Sequence, residues 1–198
     1  MRDFELTFEV PALAEATEDA IADDLDVVIA THASVTTVTA LVRAPDCLQA
    51  ARTAISALRR HGAPPARLVD DLVTRGQIAD RAGVTRQAVG MWVRGERHLD
   101  KPFPAPFVLT GGGLWLWGEV AQVLAARGDL EEEHVAYPTR RESQLIGGML
   151  AADQVLRGSW SAGLSLGETS FAVTAGIRVE ALAVSAPDSA RTDFALSA

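Results

Sequence analysis

Residues 74–94 of this chain, TRGQIADRAGVTRQAVGMWVR, decide the fold of the region around them. The stretch opens with Thr74 and Gln77, whose spacing is that of a capping box. In a capping box, a hydroxyl and an amide three residues later satisfy each other's free backbone N–H groups. The pattern therefore predicts a helix that begins after Thr74 and runs to Arg81.

A turn and a second helix are predicted directly behind the first. Gly83 can supply the positive φ that a sharp turn requires. Thr85 can cap a helix that extends from Arg86 to about Arg94. Two short helices that cross at a steep angle need a small residue at their contact and larger apolar residues below it. The positions that fit this requirement are Ile78, Ala79, Ala82, Val84, Val89 and Trp92.

The outer face of the second helix carries the residues that point to a function. In a helix-turn-helix this face enters the major groove of DNA, where Arg suits guanine and Gln suits adenine. The predicted base-reading residues are Arg86, Gln87 and Arg94. The predicted phosphate contacts are Arg75, Arg97 and Lys101, and the predicted interface is completed by Thr85, Gly90 and Met91. The alternative is an ordinary helical hairpin that does not touch DNA.

Gly90 is predicted to lie exposed in the middle of this second helix. Glycine in a helix interior costs about 1 kcal/mol relative to alanine, so its presence needs a reason. We interpret Gly90 as a point of close approach to DNA. The alternative is that DNA places no constraint on this face.

The segment from Gln77 to Val93 resembles the bacterial helix-turn-helix families in its alanine, glycine and apolar positions. Behind it, the sequence predicts a strand, a tight turn, a second strand and a helix, over residues 102–109, 111–113, 114–117 and 119–126. This order is similar to the winged helices of excisionase-like and MerR-like proteins. The resemblance covers residues 70–127 and implies a hairpin wing that lies along double-stranded DNA beside the recognition helix.

The first part of the chain shows a different pattern, in which alternating strands and amphipathic helices give the order β-α-β-β-α-β. The predicted elements are a strand over 4–10, a helix over 14–25, strands over 26–30 and 35–43, a helix over 47–61 and a strand over 66–69. This order is that of a ferredoxin-like fold. Residues 1–157 also resemble a group of small actinobacterial proteins with a ferredoxin-like front half and a winged helix behind it.

The fold class predicted for the whole chain is therefore α+β. A ferredoxin-like acidic domain is expected over residues 1–70 and a winged helix-turn-helix over 71–128. A C-terminal helix over 129–157 and a variable, partly disordered tail over 158–198 complete the organisation.

The distribution of charge decides whether DNA binding is plausible for a chain with a net charge of −8. Residues 73–101 hold six Lys or Arg and three Asp or Glu, a local charge of +3. A local positive field can guide a phosphate backbone even when the whole protein is acidic. The patch is modest, so we expect weak non-specific binding that salt abolishes readily.

Several other classes of function lack a sequence signal. No stretch approaches the roughly 18–20 apolar residues that a membrane helix needs. Cys47 is the only cysteine, the four histidines lack metal-ligand spacing, and no phosphate loop or nucleophile elbow occurs. The Cys47 thiol could be catalytic, or Cys47 could be a small side chain packed in a core, and the second interpretation is favoured. The sequence therefore predicts no enzyme, no cofactor, no metal and no membrane, and a cytoplasmic, nucleoid-associated protein.

Double-stranded DNA is the predicted partner. The C-terminal helix, the two tryptophans after the glycine turn and the function itself each have a second interpretation. A capping box at Thr139 predicts a helix with an apolar stripe, which either packs on the body or pairs with a second chain in a homodimer. Trp115 and Trp117 alternate on one strand and either pack the wing or stack on bases. The alternative function is a protein-interaction or small-molecule-sensing adaptor whose winged helix no longer reads DNA.

Overall fold

The computed structural model describes residues 1–96, 100–130 and 135–162 of the chain. Within these ranges the protein is a mixed α+β molecule with six α-helices and a mixed sheet. The predicted α+β class is confirmed. Arg97 and most of the predicted tail, residues 163–198, lie outside the described residues.

The first sheet is built by the N-terminal part of the chain. Its elements are β1 (Arg2–Val10), α1 (Glu15–Asp24), β2 (Asp26–His32), β3 (Val35–Ala44), α2 (Cys47–Arg60) and β4 (Arg67–Leu68). The strands lie in the order β2-β3-β1-β4, and each of these neighbours is antiparallel. The order of elements predicted from the sequence is confirmed, with boundaries that differ by one or two residues.

The alternation of apolar and polar residues in β1 determines which face of this sheet is buried. Phe4, Leu6, Phe8 and Val10 are buried, and the residues between them are half-buried. α2 covers the same face with the residues Cys47, Ala50, Ala51, Ala54, Ile55, Ala57 and Leu58. The first core is therefore a sheet face of large side chains covered by an alanine-rich helix.

Two C-terminal elements return to this first core. β7 (Val135–Ala136) pairs with β1 in parallel, with Val135 opposite Asp3. α6 (Arg140–Ala162) then buries Ile146 and Leu150 in the first core. Of the two alternatives for this helix, the structure has it packed on the body of the same chain.

The second unit lies between these two segments of the first. Its elements are β5 (Leu72–Val73), α3 (Arg75–Arg81), α4 (Arg86–Val93), β6 (Trp115–Leu116) and α5 (Trp117–Arg127), with a short 3-10 turn over Thr110–Gly112. Its core consists of Val73, Ile78, Ala79, Val89, Trp92, Trp115, Trp117, Val120 and Leu124. Trp115 and Trp117 are thus buried packing residues and do not offer a face to bases.

The hairpin expected over residues 102–117 differs from the structure. Val108 and Leu114 form one isolated bridge, and β6 pairs with β5, where Val73 lies opposite Trp115. The physical reason lies in the prolines at 102, 104 and 106, which remove alternate N–H donors from the first predicted strand. Trp117, expected in a strand, begins α5. No helix within the described ranges is long and apolar enough to cross a membrane.

Candidate nucleic-acid interface

The two helices of the predicted interface begin as their sequence predicts. The backbone N–H of Thr74 donates to Gln77 Oε1 at 2.8 Å, and the N–H of Gln77 donates to Thr74 Oγ1 at 3.3 Å. Thr85 Oγ1 accepts from the N–H of Ala88 at 3.2 Å. Gly83 has a φ of +64° in the turn between the helices. Local side-chain caps therefore set the start of α3 and of α4.

The buried side of α3 and α4 matches the predicted apolar set. Ile78, Ala79, Val89 and Trp92 are buried, while Ala82 and Val84 pack against them half-buried. Thr85, Arg86 and Gln87 are exposed at the start of α4, and Met91 is half-buried. The N-terminal end of α4 therefore presents polar side chains outward over an apolar back.

The expected exposure of Gly90 is wrong, because Gly90 is buried in the structure. A Cβ built on Gly90 would lie 3.3 Å from Arg94 Nη1, so the guanidinium of Arg94 lies over this glycine. Long side chains on a helix lean toward its N-terminus and cover the residue one turn earlier. Access to the backbone at Gly90 therefore requires that Arg94 moves.

Arg94 is itself held by an acidic neighbour. Its Nε donates to Glu96 Oε1 at 2.6 Å and its Nη2 donates to Glu96 Oε2 at 3.0 Å. This bidentate ion pair raises the pKa of Arg94 and lowers the pKa of Glu96. Such a fork uses the same guanidinium edge that a guanine base would need.

Arg86 has a different environment from Arg94. Its guanidinium lies against the first turn of α3, where a Cβ on Gly76 would come within 3.1 Å of Arg86 Nε and Nη2. Arg86 is exposed and forms no ion pair within the part of the chain that the structure describes. The contact joins α4 to α3 and leaves the charge available to an external acceptor.

Arg75 lies at the same turn of α3, next to Gly76 in the chain. Its guanidinium lies over the Trp115 ring, with Cζ 5.7 Å from the ring centroid. Arg81, at the other end of α3, forms bonds of 2.6 and 3.1 Å with Asp71 and lies 4.9 Å from the Trp117 centroid. Of these two arginines, Arg75 keeps its charge free of a carboxylate among the described residues.

Lys101 is held at the C-terminal end of α5. Its ammonium donates to the carbonyl of Ala126 in the last turn of α5, a position that favours a cation. Arg127 donates in turn to the Lys101 carbonyl and lies over the rings of Trp92 and Phe103. Desolvation lowers the pKa of Arg127. Sequence reasoning missed this arginine, whose only signal was its place at the end of an amphipathic helix.

The structure thus separates the predicted contacts into three groups. Exposed side chains without a carboxylate partner in the described residues are those of Arg75, Thr85, Arg86 and Gln87. Arg94 and Lys101 are engaged within the chain, and Arg97 lies outside the described residues. The structure places Arg86 against the α3 turn that carries Arg75 and Gly76, Arg75 over the Trp115 ring, and Lys101 beside α5.

Two further observations concern the Cys47 thiol and the distribution of metal-ligating residue types. Burial, with smaller effects of Glu142 and Asp46, raises the pKa of the Cys47 thiol to about 12, so the thiol stays protonated in its core position. No group of three or more His, Cys, Asp or Glu residues with metal-binding geometry occurs within the described ranges.

Comparisons of the chain with protein-family models, with curated proteins and with solved structures find no match.

Proposed function

We propose that this protein binds double-stranded DNA in a sequence-specific way and regulates transcription, with α4 as its recognition helix. One observation carries the proposal. The start of α4 exposes Arg86 and Gln87, and the guanidinium of Arg86 meets the turn that carries Arg75. Arg86 and Arg75, both exposed and without a carboxylate partner among the described residues, thus belong to α4 and to the α3 turn that the Arg86 side chain contacts.

The proposal assigns the second unit to the winged helix-turn-helix class. The capped pair α3 and α4, the positive φ of Gly83 and the shared apolar core support this assignment. The loop between Val108 and Leu114 takes the place of a wing, with a tip formed by residues 109–113. This tip has no charged side chain, so it can offer DNA only backbone N–H groups and the hydroxyl of Thr110.

We also assign the first unit to the ferredoxin-like class. Its strand order β2-β3-β1-β4 with antiparallel neighbours supports this assignment, as do two connecting helices that pack on one face. The added β7 and α6 would then be an extension that ties the second unit back to the first.

The roles of individual residues follow from their environments. Arg86 and Gln87 are the proposed readers of bases in the major groove, and Arg75 is the proposed phosphate contact. Arg94 could contact a base only after its ion pair with Glu96 breaks. Lys101 could contact phosphate only after its hydrogen bond to the Ala126 carbonyl in α5 breaks. We therefore expect few base contacts and a modest affinity.

Selection of bound duplexes from a random pool, followed by fluorescence anisotropy on the selected site, tests the proposal. We expect Arg86→Ala to cost about 1–3 kcal/mol on that site and to relax its sequence preference. Arg75→Ala should weaken all duplexes equally and reduce the salt slope by about 1. Arg52→Ala, which removes an exposed arginine from α2, is the matched control. Equal affinities for all three variants and every duplex would refute the proposal.

The second candidate function is a protein-interaction or small-molecule-sensing adaptor that does not read DNA. The hydrogen bonds of Arg94 to Glu96 and of Lys101 to Ala126 favour the adaptor, since the sequence predicts that both residues contact DNA. A gel shift with random duplex at low salt separates the two candidates. No shift at micromolar protein would favour the adaptor.

A further inference from the structure

β2 forms one edge of the first sheet. Its residues Asp26–His32 pair with β3, and no strand in the described part of the chain pairs with the other side. Such an edge presents a row of backbone N–H and C=O groups that another strand can use. The edge is therefore a potential docking site whose occupant must be argued from its side chains.

The sequence of β2 lacks the features that usually prevent edge pairing. Natural edge strands are commonly protected by proline, lysine, bulges or short length. β2 has seven residues, DVVIATH, with neither proline nor lysine. Val28 is 68% exposed, on the face away from α1 and α2, where it lies beside Thr39 of β3. The strand thus combines high β-propensity with an exposed apolar side chain.

The polar side chains at the two ends of β2 complement each other in an antiparallel self-pairing. Only a register centred on Ile29 pairs all seven residues of β2 with those of a second copy. This register places Asp26 of each copy opposite His32 of the other, and Val28 opposite Ala30. Each of these pairs lies on the same face of the sheet, because the residues of a pair are separated by an even number of positions.

We propose that a second copy of this chain docks on β2, so that two first sheets join antiparallel through Asp26–His32 into one continuous sheet. Hydrogen bonds from the His32 ring to the Asp26 carboxylate fix the register, and the Val28–Ala30 pairs cover the exposed apolar surface. The nearby carboxylate of Asp24 is held within its own copy by an ion pair with Arg60 and a hydrogen bond with His61, at 2.9 and 3.0 Å. One strand pair buries less area than a standard protein interface, so the dimer depends on concentration.

Sedimentation velocity of the full chain at increasing protein concentration measures this association directly. We expect a reversible monomer–dimer equilibrium. Asp26→Lys should raise the dissociation constant at least tenfold, because it removes both symmetry-related carboxylates that accept from His32. The double variant Asp26→Lys with His32→Glu should restore dimerisation. Asp80→Lys on α3, which changes the net charge equally, should leave the equilibrium unchanged.

Cross-linking tests the register. Strands paired about Ile29 bring the two copies of this residue directly opposite each other, within reach of a disulfide. Ile29→Cys should therefore give an oxidised dimer far more readily than Val27→Cys. The native Cys47 is buried and should not contribute.

Three outcomes would overturn the proposal: a monomer at all concentrations, a dimer that Asp26→Lys leaves intact, or equal cross-linking at positions 27 and 29. None of these measurements involves DNA, so their failure is distinguishable from failure of the proposed function.

Discussion

The guanidinium of Arg86 lies so close to Gly76 that a Cβ on the glycine would come within 3.1 Å of two guanidinium nitrogens. A helix that carries Gly in its first turn gives up helix propensity, worth up to about 1 kcal/mol relative to Ala. The contact explains this choice, since Gly76 makes room for the side chain that joins α4 to α3.

Gly76→Ala is expected to displace Arg86. In the wild-type background, the gain in the free energy of unfolding should be small, because the arginine must move. In the Arg86→Ala background the same substitution should gain up to about 1 kcal/mol. Urea unfolding of the two single variants and the double variant measures this coupling. Additive effects would contradict the contact.

Glu96→Gln is expected to release Arg94 from its bidentate ion pair with Glu96. If α4 is the recognition helix, the freed guanidinium adds one charge at the groove. Affinity for duplex DNA should then rise several-fold, and the salt slope should steepen by about 1.

The control for this prediction is Glu15→Gln, which removes the same charge from an exposed position at the start of α1. It separates the local release of Arg94 from a general loss of acidity. The prediction fails if Glu96→Gln and Glu15→Gln bind DNA with the same affinity and the same salt slope.

The features that the sequence predicted well are those with a local physical cause. The caps at Thr74 and Thr85 depend on residues three positions away, and the strand β1 depends on strict alternation. Both signals are complete within one element. The starts of α3 and α4 and the buried face of β1 could therefore be inferred before the structure.

The features that the sequence patterns missed depend on side-chain rotamers or on contacts between distant segments. The covering of Gly90 depends on the direction of the Arg94 side chain, which Glu96 then fixes from beyond the helix end. β6 pairs with β5 across more than forty residues, and β7 joins β1 from the far end of the chain. No periodicity in a single segment reports such pairings. The predicted wing could therefore not be corrected from sequence, and the two alternatives for the C-terminal helix could not be separated.

The hairpin between β2 and β3 turns through two residues that are not glycine. Ala33 and Ser34 have φ values of +48° and +67°. A left-handed conformation costs a non-glycine residue roughly 1–2 kcal/mol, and turns of this kind favour Asn-Gly. Ser34→Gly should therefore raise the free energy of unfolding by about 1 kcal/mol, which corresponds to a rise in Tm of about 2–4 °C.

Ser34→Ala is the matched control for the turn, because it removes the hydroxyl and keeps the Cβ. We expect its thermal midpoint to equal that of the wild type. Equal midpoints for the glycine and alanine variants, measured by circular dichroism, would mean that the turn stores no strain.

Gly118 is the point where α5 meets the chain that leads into α6. A Cβ at this position would lie 2.5 Å from the carbonyl oxygen of Pro138 and 3.0 Å from that of Tyr137. Both contacts are with backbone, which cannot move aside as a flexible side chain can. Gly118→Ala should therefore separate the two segments and lower the free energy of unfolding by about 1–3 kcal/mol, as overpacking does elsewhere.

Gly147→Ala in α6 provides the opposite case, because its Cβ would meet no heavy atom within 4 Å. This variant should gain up to about 1 kcal/mol from helix propensity. Urea unfolding monitored by tryptophan fluorescence compares the two directly, since Trp115 and Trp117 report on the second core. If Gly118→Ala proves as stable as Gly147→Ala, then α5 does not depend on close contact with residues 137–138, and the two units are joined by other contacts.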